Sequence, residues 1–150
     1  MSDEPLEYML SDLPRIGAAI AAVLQPGDVI GLSGDLGAGK TALARAILAA
    51  LGLAGEAPSP SFAIVQPYDA PPLRLPLWHV DLYRLDDPDE TVELGLDEAR
   101  SDAALLVEWP ERWGRHAPRD MVRLYIAGAG ERRRLTVELP PAWEPRWPHL

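Results

Sequence analysis

Apolar positions along this chain change their period several times, and each change marks an element. From Asp12 to Leu24, Leu13, Ile16, Ile20, Val23 and Leu24 share one helical face before Gln25-Pro26-Gly27 ends the run, which predicts an amphipathic helix. Val29 to Ser33 is a short unbroken stretch of the kind a buried strand makes, and Thr41 to Leu51 (TALARAILAAL) returns to helical spacing. Leu6 to Leu10 reads as a short first strand. Gly52 to Pro60 is a linker of small residues and proline, after which Phe62 to Tyr68 and Leu73 to Leu82 read as a hairpin joined by Asp69-Ala70-Pro71-Pro72. Asp89 to Ala99 reads as an acidic helix and Ala103 to Val107 as a buried strand. Val122 to Ala127 and Leu135 to Leu139 read as a second hairpin, turning at Gly128-Ala129-Gly130. A strand–loop–helix unit combined with hairpins predicts an α/β fold of three layers, a mixed β-sheet with flanking helices. The pattern assigns residues 1–139 to a single domain and leaves 140–150 (PPAWEPRWPHL) as an irregular, disordered Pro/Trp tail.

The loop between the predicted strand and helix carries the chemistry. Gly34-Asp35-Leu36-Gly37-Ala38-Gly39-Lys40-Thr41 satisfies G-x-x-x-x-G-K-[ST] at every fixed position, the phosphate-loop pattern of P-loop NTPase-like domains. Lys40 is the single lysine against thirteen arginines. A compact ammonium on a flexible stem reaches between phosphate groups where a planar guanidinium fits poorly. Glycines at 34, 37 and 39 let backbone N–H groups turn inward, and the helix N-terminus adds to the positive cradle, so Asp35 to Ala42 form the expected binding loop for a nucleotide triphosphate. The Thr41 hydroxyl is placed to ligate magnesium.

Composition narrows the setting. The formal charge of −9 disfavours direct nucleic-acid binding, because phosphate backbones repel an acidic surface; Arg132-Arg133-Arg134 is the one basic cluster, and it reads as a solvated strand start. With no cysteine, disulfides and thiolate zinc sites are excluded, in keeping with a reducing cytoplasm. No basic, apolar leader opens the sequence and no run of eighteen apolar residues occurs in it, so a soluble protein is expected.

A phosphate loop needs an acid on a neighbouring strand to hold the metal or its water. Glu108, after Ala104-Leu105-Leu106-Val107, sits where a buried strand would deliver it to the carboxyl edge of the sheet. Asp81, after Leu77-Trp78-His79-Val80, is the second candidate, with a strand-end ion pair to Arg84 as its other reading. Ser59-Pro60-Ser61 is placed to offer a hydroxyl to a terminal phosphate or simply to make a turn. His79 reads as a satisfied strand histidine. Trp109 either caps the site or fills the core. Arg84 is the in-cis candidate for the arginine that phosphate-loop hydrolases use to speed turnover.

In that order and at similar separations, GDLGAGKT (34–41), SPSF (59–62), HVDLYR (79–84) and EWPE (108–111) resemble the bacterial TsaE family, over most of residues 10–112. The resemblance implies a cytoplasmic ATPase that serves threonylcarbamoyladenosine formation in tRNA together with TsaD-like and TsaB-like proteins. ATP hydrolysis would reset the transferase, and tRNA would be contacted only through the complex. On this likeness ATP and Mg2+ are the cofactors, Thr41 and Glu108 hold magnesium, Asp81 arranges water or the metal shell, Ser61 senses the γ-phosphate, and Trp109 matches the family tryptophan beside the glutamate. Ser11 and Arg133 are the candidates for the adenine side. Two departures stand out: Ser61 replaces a common threonine, and Leu13 stands where a threonine near adenine is familiar. A small-molecule or nucleoside kinase and a nucleotide-dependent interaction module are the competing functions.

Overall fold

The computed structural model describes residues 5–55 and 64–150. Ser59 to Phe62, and Ser61 with them, lie outside the described residues. Seven strands form one mixed sheet: β1 (Leu6–Met9), β2 (Val29–Ser33), β3 (Val65–Tyr68), β4 (Leu77–Asp81), β5 (Ala104–Glu108), β6 (Val122–Ala129) and β7 (Arg132–Glu138), in the order β1-β7-β6-β2-β5-β4-β3. The centre is parallel, with β2 between β5 and β6 and β4 beside β5; the outer pairs β1–β7, β6–β7 and β3–β4 are antiparallel. Strands buried on both faces read as continuous apolar runs, and β2 and β5 are buried at every residue.

Two helices, α1 (Leu13–Val23) and α2 (Lys40–Leu51), cover one face. Their apolar stripes, Ile16, Ile20 and Ala21 on one and Leu43, Ala44, Ile47 and Leu48 on the other, close a core over Ile30, Leu32, Leu106 and Leu124. The two helices touch closely at Gly17, where a Cβ would stand 2.6 Å from the Ala46 carbonyl carbon. The other face holds a second core of Val80, Leu82, Leu96, Leu105, Val107 and Trp113. Among the described residues no helix is long and apolar enough to cross a membrane.

Several expectations are corrected. Asp89 to Ala99 is not one helix: Pro88–Leu94 is 3-10, α3 (Leu96–Ala99) is a single turn, and Gly95 at φ 72° breaks them apart. The Thr91 hydroxyl bonds the Pro88 carbonyl at 2.6 Å, competing locally with an α ladder. Leu73 to Leu82 shrinks to β4 because Pro72 and Pro76 cannot donate to a ladder, although Leu73 and Leu75 are still buried in the core that α1 and α2 cover. The second hairpin turns at Gly130-Glu131, since Ala129 pairs with Arg132 and all three arginines of 132–134 join β7. The tail is ordered onto the domain. Trp143 is 3% exposed and meets Trp147 edge-on at 5.9 Å, and the Arg146 guanidinium stacks 3.9 Å from the Trp143 ring while bonding Asp28 (2.7 Å) and the Val23 carbonyl (2.9 Å). A proline-rich segment can pack without secondary structure when bulky side chains find a groove, and here the groove lies along α1.

Candidate functional site

Strand β2 runs into Gly34, the loop 34–39 crosses the carboxyl edge of the sheet, and α2 starts at Lys40. The Lys40 ammonium donates to the carbonyls of Gly34 (2.6 Å) and Asp35 (2.8 Å) and stands 4.4 Å from the Trp109 ring centroid. Burial pulls its pKa below the ordinary lysine value, against the upward pull of Glu108, Asp81, Glu111 and Asp35. Trp109 is the one non-glycine residue with positive φ among the described residues (59°), fixed by its N–H on the Leu32 carbonyl at 3.1 Å. That left-handed step after β5 turns the indole back over the loop, where it packs on Tyr83 at 4.9 Å between centroids. From β7, the Arg133 guanidinium donates to the Gly37 and Ala38 carbonyls and so braces the loop from outside.

Glu108 ends β5 directly beside Asp81, which ends β4. Its carboxylate accepts from the Thr41 hydroxyl at 2.9 and 3.1 Å, and the second oxygen lies 2.6 Å from His79 Nε2. Asp81 accepts the Tyr83 N–H at 2.9 Å rather than pairing with Arg84, which has no hydrogen bond or ion pair among the described residues. Burial raises the Asp81 carboxyl above its ordinary value and Glu108 pushes the same way, partly opposed by the Tyr83 N–H, His79 and Lys40.

Around these groups lies a cavity of about 540 Å³, within the usual range for small-ligand sites. Leu36, Gly37, Gly39, Lys40, Thr41, Ala42, Asp81, Glu108, Trp109 and Arg133 line it, so ten expected site residues converge. Asp35 and Ala38 belong to the same loop but border its outer side with Ile126 and Gly128. Ser11 is exposed in the 3-10 turn Leu10–Asp12 and does not line the cavity; its neighbour Leu10 does.

A magnesium–nucleotide group fits the residues present. A Cβ built on Gly37 or Gly39 would need a φ of 80° or 113°, and at Gly37 it would meet no protein atom within 4 Å, leaving the loop open toward the cavity. A hydroxyl and a carboxylate in contact are the hard oxygen donors magnesium takes, with phosphate oxygens and water completing its shell.

Comparison with known proteins decides the family. The profile of TsaE, described as threonylcarbamoyl adenosine biosynthesis protein TsaE, matches residues 9–136. The chain belongs to the TsaE family. The tRNA threonylcarbamoyladenosine biosynthesis protein TsaE of Streptomyces coelicolor is 41% identical over 113 residues, covering 75% of this chain and 76% of that protein. Its Bacillus subtilis counterpart is 38% identical over 120 residues, 79% of this chain and 73% of that one. The crystal structure of Bacillus subtilis YdiB superposes with a TM-score of 0.76 at 31% identity, covering 96% of this chain and 91% of that one. The TsaE match extends past residue 112, where the motif likeness weakens, to residue 136, and so takes in β6 and most of β7.

Reading the sequence missed several residues of this TsaE cavity. Leu10 and Ile64 line it from segments with no motif, and no signal pointed to them. Tyr83 could have been found inside HVDLYR, since an N–H two residues after Asp81 is how an aspartate closes a turn. His79, read as a satisfied strand residue, bonds the site glutamate through one nitrogen, and its Nδ1 has no partner among the described residues.

Proposed function

We propose that this TsaE-family chain binds Mg·ATP in the cavity and hydrolyses it in the cytoplasm, in complex with TsaD-like and TsaB-like proteins. Hydrolysis resets the transferase that makes threonylcarbamoyladenosine, and tRNA is met only through the partners. The observation that carries this reading is the Thr41–Glu108 hydroxyl–carboxylate contact at 2.9 Å, seated at the mouth of a phosphate loop. When bound, magnesium neutralises charge developing on the outer phosphates.

The chain's own residues divide the remaining work. Lys40 exchanges loop carbonyls for phosphate oxygens, and Thr41 and Glu108 hold the metal. Asp81, its carboxyl pKa raised by burial, orients the attacking water, whose oxygen bonds the γ-phosphorus as the bond to the β–γ bridging oxygen breaks and whose proton passes to the released phosphate, leaving ADP. Trp109 screens the phosphates from bulk water. Ser61 supplies the γ-phosphate hydroxyl, and Arg133 with Leu10 bounds the adenine side. Arg84 lines the cavity with no hydrogen bond or ion pair among the described residues, and a docking partner that orients it completes the charge. Phosphate-loop hydrolases without such help turn over on the order of 10⁻⁴ per second and gain about 10³ to 10⁵ with it.

The test is phosphate release by the purified chain, alone and with its TsaD-like and TsaB-like partners. Slow turnover alone and a marked rise in the complex are expected; equal rates overturn the partner requirement, and no release in either case overturns hydrolysis. Replacing Glu108 with glutamine separates the interaction-module reading, which requires complex activity to survive once hydrolysis is gone.

A further inference from the structure

His79 lies on the floor of the site for a reason the sheet dictates. In β4 the side chains of Leu77, His79 and Asp81 point to the α1–α2 face, as do those of Ala104, Leu106 and Glu108 in β5, while Trp78, Val80, Leu105 and Val107 fill the opposite core. His79 pairs with Leu106 and Asp81 with Glu108, so the imidazole sits one layer beneath Asp81 and reaches across to the Glu108 carboxylate. It is fully buried, with Nε2 2.6 Å from Oε2 of Glu108, and Nδ1 has no partner among the described residues.

That arrangement selects one tautomer. With the proton on Nε2, the histidine donates to the carboxylate and leaves a bare Nδ1 lone pair; with the proton on Nδ1, a lone pair would face the carboxylate and a donor would be buried unsatisfied. Glu108 therefore accepts from two sides, from Thr41 above and from His79 below, and its carboxyl plane cannot turn without breaking one of them. Among the described residues, the one hydrogen bond of the imidazole is thus spent on the acid of the site.

We infer that His79 is a positioning residue that holds the Glu108 carboxylate in the orientation in which it takes a divalent cation. Outer partners of this kind commonly change metal affinity by about 10- to 100-fold. The inference rests on the proposed magnesium site and assigns His79 no contact with nucleotide.

The experiment compares wild type with His79→Gln and His79→Asn. A glutamine amide reaches the place of Nε2, whereas the shorter asparagine amide does not, and both are polar enough to keep the layer closed. ADP affinity without metal is measured by calorimetry, and Mn2+ affinity of the ADP-saturated protein by paramagnetic resonance of the free ion. The expected result is metal-free ADP binding within about twofold for all three, Mn2+ binding weakened about 10- to 100-fold in His79→Asn, and most of it recovered in His79→Gln. Equal Mn2+ affinity in the two variants, or wild-type affinity in His79→Asn, overturns the positioning role and leaves the magnesium site standing. A wild type that binds no Mn2+ beside ADP overturns the magnesium site, and the inference with it.

Discussion

Replacing Lys40 with alanine tests the phosphate loop at its most informative atom. An ammonium has three donors, and two already serve the Gly34 and Asp35 carbonyls at 2.6 and 2.8 Å. A nucleotide that displaces a carbonyl exchanges one bond for another, so the gain on binding is set mainly by the remaining N–H, aimed at the β- or γ-phosphate. One hydrogen bond to a charged group contributes about 1.5–3 kcal/mol, which is about 10- to 150-fold in Kd. Calorimetric titration of Mg·ADP into wild type and Lys40→Ala should show that loss. AMP, which has no β-phosphate, should bind both proteins alike. Unchanged Mg·ADP affinity in the variant, or an equal loss for AMP, would refute the reasoning. The control for folding is thermal melting. Because burial already lowers the Lys40 pKa, removing the ammonium relieves a desolvated charge, and no collapse of the melting temperature is expected.

Further outcomes follow from other sites. Trp143→Ala removes a side chain 3% exposed and should cost about 3–5 kcal/mol, lowering Tm by roughly 6–20 °C for a chain of this size; a fall under about 3 °C would mean that the tail does not dock in solution. The Asp81 carboxyl titrates above its ordinary 3.8, so its protonated form favours the fold and that stabilisation, complete below pH 3.8, is lost as pH rises through the folded value. Asp81→Asn should therefore melt higher than wild type at pH 7, with the difference vanishing at pH 3.5; a variant that melts lower at pH 7 contradicts the burial argument. Arg84→Ala should remove the partner-stimulated part of ATP turnover, about a thousandfold or more, while leaving nucleotide affinity within severalfold; full stimulation of the variant would place the activating cation on a partner.

What the sequence disclosed depended on how local the physics was. The loop Gly34 to Thr41 was legible because its geometry is written in consecutive glycines and one lysine, and Glu108 because four apolar residues before it mark a buried strand. Asp81 and Glu108 were each visible, yet their adjacency comes from the parallel register of β4 and β5, which no short window contains. The Thr41 contact spans sixty-seven positions and the His79 contact twenty-nine, so neither pairing could be read locally. The acidic helix expected at 89–99 failed because its apolar residues are too sparse for an α stripe and a glycine divides it. The tail was misjudged for a different reason. An irregular, proline-rich terminal segment suggested disorder, while the worth of Trp143 and Trp147 depended on a groove supplied by distant residues.

That tail lies along α1 as a strap. Arg146 grips the helix's last carbonyl at Val23, and the carbonyl of Leu150 receives the guanidinium of Arg15 at 3.3 Å, about 12 Å back toward the helix start at 1.5 Å per residue. Since α1 in turn presses on α2 at Gly17, deleting residues 140–150 would loosen the scaffold behind the phosphate loop without touching a single ligand-facing group. Amide exchange would register this first as lost protection in α1, then in the helix that begins at Lys40, well before global unfolding.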